Sequence, residues 1–549
     1  MKSIIIPRWK SLPSWLRAFV VVLLVLGIFF RFANLDRKVY WYDETHTSLR
    51  VSGYTEAEAV KSLSTGNIIH PEALQKYQRP NPEKGVLDTI KNLAVEDAQH
   101  PPLYYVSARF WIQWFGSSAT AIRSLSALIS LLAFPCIYWL CLELFESPLT
   151  GWVAVALLAV SPVHVLFAQE ARQYSLWTVT ILLSSAALLR AMRVKTKLSW
   201  VIYSVTVVAN LYTFLFSGLV LLGQAIYVVA VERCRLSKTL IGYLVASLAA
   251  LFAFVPWLIV VICGLSQIQN TTAWVATKNS KFNLIREWIF NFNRIFLDWN
   301  YASEDKLIYK IIFYFSSLVL LILVGYSLYF LWRNTPLRVW LFVFTLTGST
   351  GLTLILSDVI LGGVRSTIGR YLFPCFLGIQ LAVAYLFATK LSGVLVNIKQ
   401  QKLWQIAMIA IASSGVLSCA ILSQADVWWS KYQDVDIPIV AGIINQATRP
   451  LVISDAQTGE ILSLSYQLNP KVQLLIEPLC TNCGVTYASK VEPRIRQLPE
   501  GFSDVFFFNT DGHQKWLNQL AKEQGYPIKP MVFKGSNPRE ALLWRLEKQ

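Results

Sequence analysis

Residues 40–47 read Tyr-Trp-Tyr-Asp-Glu-Thr-His-Thr, and they follow closely on an apolar segment that ends near residue 32. The stretch sets two adjacent acids, Asp43 and Glu44, among aromatic rings and a histidine at the edge of a bilayer. Charged groups so close to lipid are expensive and by default indicate function. The stretch therefore predicts an active site at the membrane face, and the rest of the chain must supply its surroundings.

The composition places the chain among membrane proteins. Of 549 residues, 55% are hydrophobic and 15% are charged, whereas a soluble globular protein carries about 25% charged residues. The net charge of +17 could suggest nucleic-acid binding, but the basic residues are dispersed over short loops between apolar segments, as in polytopic proteins. We therefore expect membrane lipids, and no nucleic acid, among the partners.

Apolar segments of roughly 20 residues predict about eleven transmembrane helices. They lie near residues 15–32, 119–142, 151–168, 174–191, 199–215, 217–232, 239–263, 307–331, 338–361, 371–391 and 403–424. We interpret the first as an uncleaved anchor, because no small-residue cleavage site follows it.

The orientation follows from the basic residues, which concentrate in alternate loops. Only the loop 143–150, which has no Lys or Arg, departs from this pattern. We predict a multi-pass protein of the plasma (inner) membrane with a cytoplasmic N-terminus. The segments 33–118, 169–173, 264–306, 362–370 and 425–549 then share the outer, extracytoplasmic face.

The long first outer loop ends in HPPLYYVSARFWIQWFG, residues 100–116. Its proline pair can start a helix. Arg109 and Gln113 share one face of that helix, while an apolar stripe is formed by Leu103, Val106, Phe110 and Trp114. We interpret it as a helix lying in the membrane interface; the alternative is a short, tilted span.

Two further outer turns carry charge. In SPVHVLFAQEARQYSL, residues 161–176, Glu170 and Arg172 stand between two spans; a local ion pair capping two helices is the alternative to a functional role. In GGVRSTIGRYLFP, residues 362–374, Arg365 and Arg370 carry planar guanidinium groups whose N–H donors can bind a phosphate in pairs. An aromatic and arginine belt at the interface is the alternative there.

A site with acids and several arginines at the membrane suggests a reaction on a lipid-linked phosphate. A carboxylate can deprotonate an acceptor hydroxyl, and arginines can stabilise the departing phosphate. The sequence contains neither a GxGxxG nor a Walker A motif, which agrees with a lipid-linked rather than a nucleotide donor.

Four motifs carry a family resemblance: YWYDETHT, HPPLYY, SPVHVLFAQEARQYSL and GRYLFP, in this order over roughly residues 10–390. The chain resembles the GT-C membrane glycosyltransferases, in particular the protein O-mannosyltransferase and lipid A aminoarabinose transferase group (glycosyltransferase family 39-like). The resemblance implies a mostly α-helical GT-C catalytic domain over 1–424. It also implies a polyprenyl-phosphate-linked sugar as donor and an inverting transfer to an acceptor hydroxyl.

The resemblance also implies site residues. Asp43 falls on the catalytic base, and Glu44 completes the acid pair, either placing the acceptor or binding a cation. The resemblance places His100, Glu170, Arg172, Arg370 and Tyr371 near the donor phosphate and lipid. Tyr174 and Arg365, which belong to the same outer segments, are expected there as well. The sugar, and whether the acceptor is a glycan, lipid or protein, stay open.

Several alternatives remain at this stage. A transporter or flippase of lipid-linked sugars would favour internal repeats and mid-membrane charges, neither of which is evident; a glycan polymerase or ligase would differ only in donor and acceptor. No cofactor is predicted with certainty. A divalent metal could be held by His46, His100, Glu44 and Glu170, but no ligand spacing indicates one.

The tail, 425–549, has a different pattern. Short apolar runs predict strands at 450–454, 471–477, 504–509 and 530–534. Helices are predicted at 458–468 and 512–525 between them, which indicates a small α/β domain. Cys480 and Cys483 form a CTNC motif, for which an outer-face disulfide is favoured over a redox or zinc site.

Overall fold

A computed structural model describes residues 14–300, 306–392, 397–481, 483, 501–509, 527–533 and 541–546. In chain order, the helices up to residue 194 are α1 (Ser14–Phe32), α2 (Tyr42–Val51), α3 (Glu56–Leu63), α4 (Pro71–Gln75), α5 (Val86–Glu96), α6 (Leu103–Phe115), α7 (Ala119–Leu131), α8 (Ala133–Phe145), α9 (Pro148–Ala159), α10 (Pro162–Ala168) and α11 (Tyr174–Val194). The remaining helices are α12 (Lys197–Leu211), α13 (Ser217–Val231), α14 (Lys238–Cys263), α15 (Leu265–Thr271), α16 (Lys281–Asn293), α17 (Leu307–Asn334), α18 (Leu337–Leu361), α19 (Phe373–Leu391), α20 (Ile398–Gln424), α21 (Ile437–Gln446) and α22 (Thr458–Ser465).

The protein is a multi-pass membrane protein. Within the described ranges, eight helices are long and apolar enough to cross a bilayer, counting α7 and α8 as one. A ninth span forms if the bent pair α9 and α10 is counted as one. All nine coincide with segments that the sequence predicts, so the mostly α-helical expectation is confirmed.

The two other predicted spans, 199–215 and 217–232, differ from expectation. They form α12 and α13, each of 15 residues, which reach only about 22 Å at 1.5 Å per residue. The turn between them ends α12 at Leu211, four residues before the predicted end. This turn contains Phe214, whose ring contacts those of Phe216 and Trp177.

The break between α9 and α10 is a 61° bend that leaves carbonyl groups without helical partners. Arg31 of α1, fully buried, donates to the carbonyls of Leu158 and Ala159 at 3.2 and 2.6 Å. Buried backbone groups need such partners, above all in a membrane. A buried arginine here therefore stabilises the bend.

The predicted interfacial helix is α6. Its apolar stripe is the outward one: Phe110 and Trp114 are 44% and 75% exposed. Arg109, expected on a polar face, is instead buried and donates to the carbonyls of Val51 and Lys84. Its guanidinium ties α6 to the first loop, because an arginine so close to the membrane needs acceptors.

Among the described residues, the tail forms a five-stranded sheet. Its strands are β1 (Pro450–Ser454), β2 (Gln473–Ile476), β3 (Asp504–Phe508), β4 (Ile528–Phe533) and β5 (Ala541–Leu546). The order is β2-β1-β3-β5-β4; β1 pairs in parallel with β2 and β3, whereas β5 runs antiparallel to β3 and β4. The predicted small α/β domain is thus confirmed, and β5 is a strand that the sequence analysis missed.

The first loop and the tail share one hydrophobic core. Leu49 and Tyr77 of the loop lie in the same buried cluster as Val440, Leu474 and Phe506 of the tail. The predicted helix 458–468 is observed as α22, whereas 512–525 lies outside the described residues. Cys480 and Cys483 form the predicted disulfide, with Cα atoms 5.6 Å apart.

We expect Gly27→Ala to destabilise the bundle. A Cβ at Gly27 would overlap the Ala159 backbone and lie 2.8 Å from its Cβ, so α1 and α9 would have to separate, at a cost of about 1–3 kcal/mol. Gly325→Ala in α17 is the control, because a Cβ there meets nothing within 4 Å. Thermal unfolding of the purified protein measures both; equal stability of the two variants would contradict the close approach.

Candidate active site

The acid pair stands in the first turn of α2, where the helix dipole favours negative charge. Segments from across the chain hold this turn. Asp434 of the tail accepts a hydrogen bond from the Tyr42 backbone N–H at 2.5 Å, and Thr45 donates to the Gly459 carbonyl at 3.2 Å. The approach of α22 is so close that a Cβ on Gly459 would lie 2.6 Å from Tyr42.

Glu44 is fully buried and completely engaged. Its carboxylate accepts two hydrogen bonds from Arg123 at 2.8 and 2.6 Å, one from Lys431 at 2.8 Å and one from the Ala171 backbone N–H at 2.8 Å. Burial by itself would raise its pKa, but Arg123 and then Lys431 outweigh burial and lower the pKa to about 2. Glu44 is therefore an anionic anchor that joins four parts of the chain.

Asp43, one residue earlier, is partly exposed, and we call the solvent-accessible space at its side chain the opening. Its side chain is 18% exposed and pairs with Arg370 at 2.8 Å and with Arg172 at 3.9 Å. Burial opposes the charge of this carboxyl, yet Arg370 and then Arg172 prevail and lower its pKa. Asp43 is thus an ionised, accessible carboxylate between two arginines.

Arg172 and His100 form the second layer of this site. Arg172 donates to the Asp43 carbonyl at 3.3 Å and to Thr47 Oγ1 at 3.2 Å. Its Nη2 lies 2.9 Å from His100 Nε2. A guanidinium can only donate, so Nε2 accepts and Nδ1 carries the proton that it donates to Asp97 at 2.8 Å.

Aromatic rings surround Arg370. The guanidinium carbon lies 5.8–5.9 Å from the ring centres of Trp41, Trp274 and Tyr371, within the range of cation–π attraction. Tyr174 is buried beneath the site, with Arg172 5.9 Å above its ring. Of the predicted residues, the structure therefore brings Asp43, His100, Arg172, Tyr174, Arg370 and Tyr371 together.

Two predicted residues stand apart from this group. Glu170 is buried and accepts from Ser430 at 2.8 Å, while its Oε2 has no hydrogen-bond partner; burial raises its pKa. Arg365 donates to Asp358 at 3.2 Å and to the Gly362 carbonyl at 2.8 Å. Arg365 is thus engaged by residues of its own segment, whereas Glu170 keeps one carboxylate oxygen to which no described residue donates.

The sequence analysis missed the two cations on Glu44. Arg123 lies inside an apolar helix, and a charge there is a functional signal in its own right. Lys431 follows the last span in the run Trp-Trp-Ser-Lys-Tyr, where no local feature marks it as buried. The pairing of both cations with Glu44 becomes evident only from the folded arrangement.

The possible metal ligands are engaged separately. His46 pairs with Glu56 at 3.7 Å, His100 with Asp97 and Arg172, and Glu44 with its two cations. In the described ranges, no three His, Cys, Asp or Glu side chains converge as a metal site would require.

Comparisons with known proteins point to one fold. Residues 99–260 match the family "Dolichyl-phosphate-mannose-protein mannosyltransferase", which covers less than a third of the chain. The structure is similar to ArnT from Cupriavidus metallidurans in the apo state, with 14% identity, 97% of this chain and 98% of that chain covered, and a TM-score of 0.51. The chain has the GT-C fold. The family resemblance seen in the motifs is thereby confirmed.

Two more GT-C structures are similar over most of this chain. ArnT bound to undecaprenyl phosphate aligns at 14% identity over 97% and 98% of the two chains, with a TM-score of 0.47. The apo oligosaccharyltransferase of Archaeoglobus fulgidus aligns at 10% identity over 84% of this chain and 65% of that chain, also with a TM-score of 0.47. No curated protein sequence matches the chain.

We expect Glu44→Gln to be strongly destabilising, because it leaves Arg123 and Lys431 buried without a counter-charge. Breaking a buried ion pair costs about 3–5 kcal/mol. Glu146→Gln is the control: its pair with Arg338 is exposed and contributes about 0–1 kcal/mol. Chemical unfolding of both variants measures the difference, and equal stability would contradict the anchoring role of Glu44.

Asp434 is buried, and its Oδ1 has no hydrogen-bond partner among the described residues. Burial raises the pKa of this carboxyl to about 8. The folded chain keeps a proton here that the unfolded chain releases above its ordinary pKa of 3.8. This group therefore lowers the free energy of unfolding as pH rises from about 4 to about 8.

Asp434→Asn imitates the protonated form and can still accept from the Tyr42 N–H. We expect it to match the wild type near pH 4 and to be the more stable protein near pH 8. Unfolding measured across this range tests the prediction. A constant difference between the two proteins at every pH would show that Asp434 does not titrate in this way.

Proposed function

We propose that the chain is a membrane glycosyltransferase that moves a sugar from a polyprenyl-phosphate donor to an acceptor hydroxyl, with inversion and with Asp43 as general base. The observation that carries the proposal is the setting of Asp43: an ionised, partly exposed carboxylate bracketed by Arg370 and Arg172. Such a displacement needs a general base for the acceptor hydroxyl and cations that stabilise the leaving phosphate.

The two adjacent acids have different roles in this proposal. Asp43 faces the opening, whereas Glu44 is fully buried under Arg123 and Lys431. A group that cannot reach substrate cannot take its proton. We therefore assign Glu44 as a positioning residue that holds the first turn of α2, and Asp43 alone as the base.

The proposed reaction is a single displacement. The acceptor hydroxyl gives its proton to Asp43 as its oxygen forms a bond to the anomeric carbon. The bond from that carbon to the phosphate oxygen breaks, and its electron pair leaves with the polyprenyl phosphate. Arg370 and Arg172 stabilise the charge that develops on this leaving group.

The arginines couple the two halves of the reaction. Before substrate binds, they neutralise Asp43 and lower its pKa, which weakens it as a base. A donor phosphate offers oxygens to the same N–H groups. As the phosphate takes over these contacts, the Asp43 carboxylate loses counter-charge and becomes more basic at the moment when a base is required.

The donor class rests on the residues and on the family match. The family is described by a dolichyl-phosphate-linked mannose, which is a polyprenyl-phosphate sugar. Tyr371 and Phe216 are partly exposed, with ring centres 4.6 Å apart, and they provide an apolar surface at the bundle end for the lipid. A transfer assay with hexose and pentose donors decides which sugar is used.

The proposed location is the plasma membrane, with the N-terminus cytoplasmic and the sheet domain outside. The alternation of basic loops supports this orientation. The segments predicted to share the outer face do meet: Asp43 contacts Arg172 and Arg370, and Asp298 accepts from Trp428.

We expect Asp43→Asn to lose at least about a hundredfold in sugar transfer, because the amide keeps the size of the side chain and removes the base. Donor binding should be largely retained. The assay follows transfer from a panel of polyprenyl-phosphate hexoses and pentoses to mixed glycan, lipid and peptide acceptors. Asp426→Asn is the control, since the side chain of this aspartate is exposed and its ion pair among the described residues is with Arg37 at the surface.

Three outcomes would overturn parts of the proposal. Normal transfer by Asp43→Asn would place the base elsewhere. Movement of donor across vesicle membranes without turnover would favour a transporter or flippase. Transfer of whole glycans rather than single sugars would favour a polymerase or ligase at the same site.

A further inference from the structure

A short segment of the tail, Trp428–Asp434, is held rigidly against the end of the helix bundle. The indole N–H groups of Trp428 and Trp429 both donate to Asp298 Oδ2, at 2.9 and 2.7 Å. The guanidinium of Arg294 stacks 3.6 Å above the Trp429 ring. These contacts fix the segment before it reaches the acid pair.

The same segment then brackets Asp43 from both sides. Lys431 binds Glu44 at 2.8 Å, and Asp434 accepts from the Tyr42 N–H at 2.5 Å. Tyr42 and Glu44 are the two chain neighbours of Asp43. The residues between these two anchors, Tyr432 and Gln433, must therefore pass close to the Asp43 opening.

Tyr432 is exposed although its anchors are buried. Its relative exposure is 54%, whereas Lys431 and Asp434 are 0% exposed. Its phenol lies within electrostatic reach of Arg370 and Asp43. An exposed aromatic side chain therefore stands on a short segment that is anchored at both chain neighbours of Asp43.

A second exposed ring lies beside Arg370. Trp274 is 39% exposed, and its ring centre lies 5.8 Å from the Arg370 guanidinium carbon. Aromatic faces next to charged hydrogen-bonding groups match the chemistry of a sugar ring. The C–H groups on one face of a pyranose pack on an aromatic ring, while its hydroxyls bind charged and polar groups.

We propose that Tyr432 is the stacking platform for the sugar ring of a glycan acceptor, whose hydroxyl it presents to Asp43. This assignment deepens the proposed transferase function and rests on it. It commits to a carbohydrate acceptor, in preference to a serine or threonine of a protein.

The position of Tyr432 assigns it to the acceptor. The donor is lipid-linked, so its phosphate and chain approach from the apolar helices, toward Arg370, Tyr371 and Trp274. Tyr432 belongs instead to the tail, which packs on α2 through Asp434 and α22. An inverting displacement requires the acceptor to attack from the face opposite the phosphate, and Tyr432 supplies a surface on the tail side of Asp43.

The test compares Tyr432→Ala and Tyr432→Trp with Tyr329→Ala. Tyr329 is the matched control because it is also 54% exposed but belongs to α17, near the C-terminal end of that helix. The protein is held in lipid nanodiscs, since sugar-headed detergents would compete for the platform. The donor is the polyprenyl-phosphate sugar that the wild type uses, and the acceptors are methyl glycosides of common hexoses and a Ser/Thr peptide.

We expect Tyr432→Ala to raise the acceptor KM for the best methyl glycoside at least about tenfold, which is the loss of about 1.4 kcal/mol of binding. The donor KM and the slow hydrolysis of donor without acceptor should stay unchanged. Tyr432→Trp should remain near the wild type, because it keeps a ring face. An unchanged acceptor KM, an equal rise in both KM values, or transfer by the wild type to the peptide alone would overturn the proposal.

A binding measurement separates this inference from the proposed function. Saturation-transfer NMR with the methyl glycosides needs no turnover. If the wild type uses no donor, the transferase proposal fails, and the platform is then judged by binding alone. A signal lost in Tyr432→Ala and kept in Tyr329→Ala supports the platform, while equal signals in both variants overturn it.

Discussion

The buried carboxylate of Glu44 is the interaction on which the site depends. It binds Arg123 of α7, Lys431 of the tail and the backbone N–H of Ala171 between α10 and α11. Two buried cations and one buried anion are tolerable only because every partner is hydrogen bonded. This requirement fixes three distant segments relative to α2, and thereby the position of Asp43.

The adjacent acids show that two neighbouring side chains of one helical turn can have different environments and different roles. Successive residues of an α-helix point about 100° apart, so Glu44 turns into the protein while Asp43 turns to the opening. Both pKa values are lowered by arginines. For Glu44 the cations are permanent structural partners, whereas Arg370 and Arg172 stand beside an accessible carboxylate, where a phosphate can compete for them.

The small sheet domain is part of the site and not merely attached to the membrane bundle. It shares a hydrophobic core with the first loop, supplies Lys431 to the anchor, and presents Tyr432 beside Asp43. The proposed reaction, between a lipid-linked donor and a glycan acceptor, needs a site with two approaches. The bundle end and the tail provide these two sides around a single carboxylate.

The sequence by itself determined the apolar helices, the strands β1 to β4 and the motif residues Asp43, His100, Arg172 and Arg370, because hydropathy and motif spacing are local properties. Only the tertiary structure decided that Glu44 is an anchor. Its partner Arg123 is 79 residues away and Lys431 is 387 residues away. Burial and ion pairing at such separations depend on how helices and domains pack, which no local pattern records.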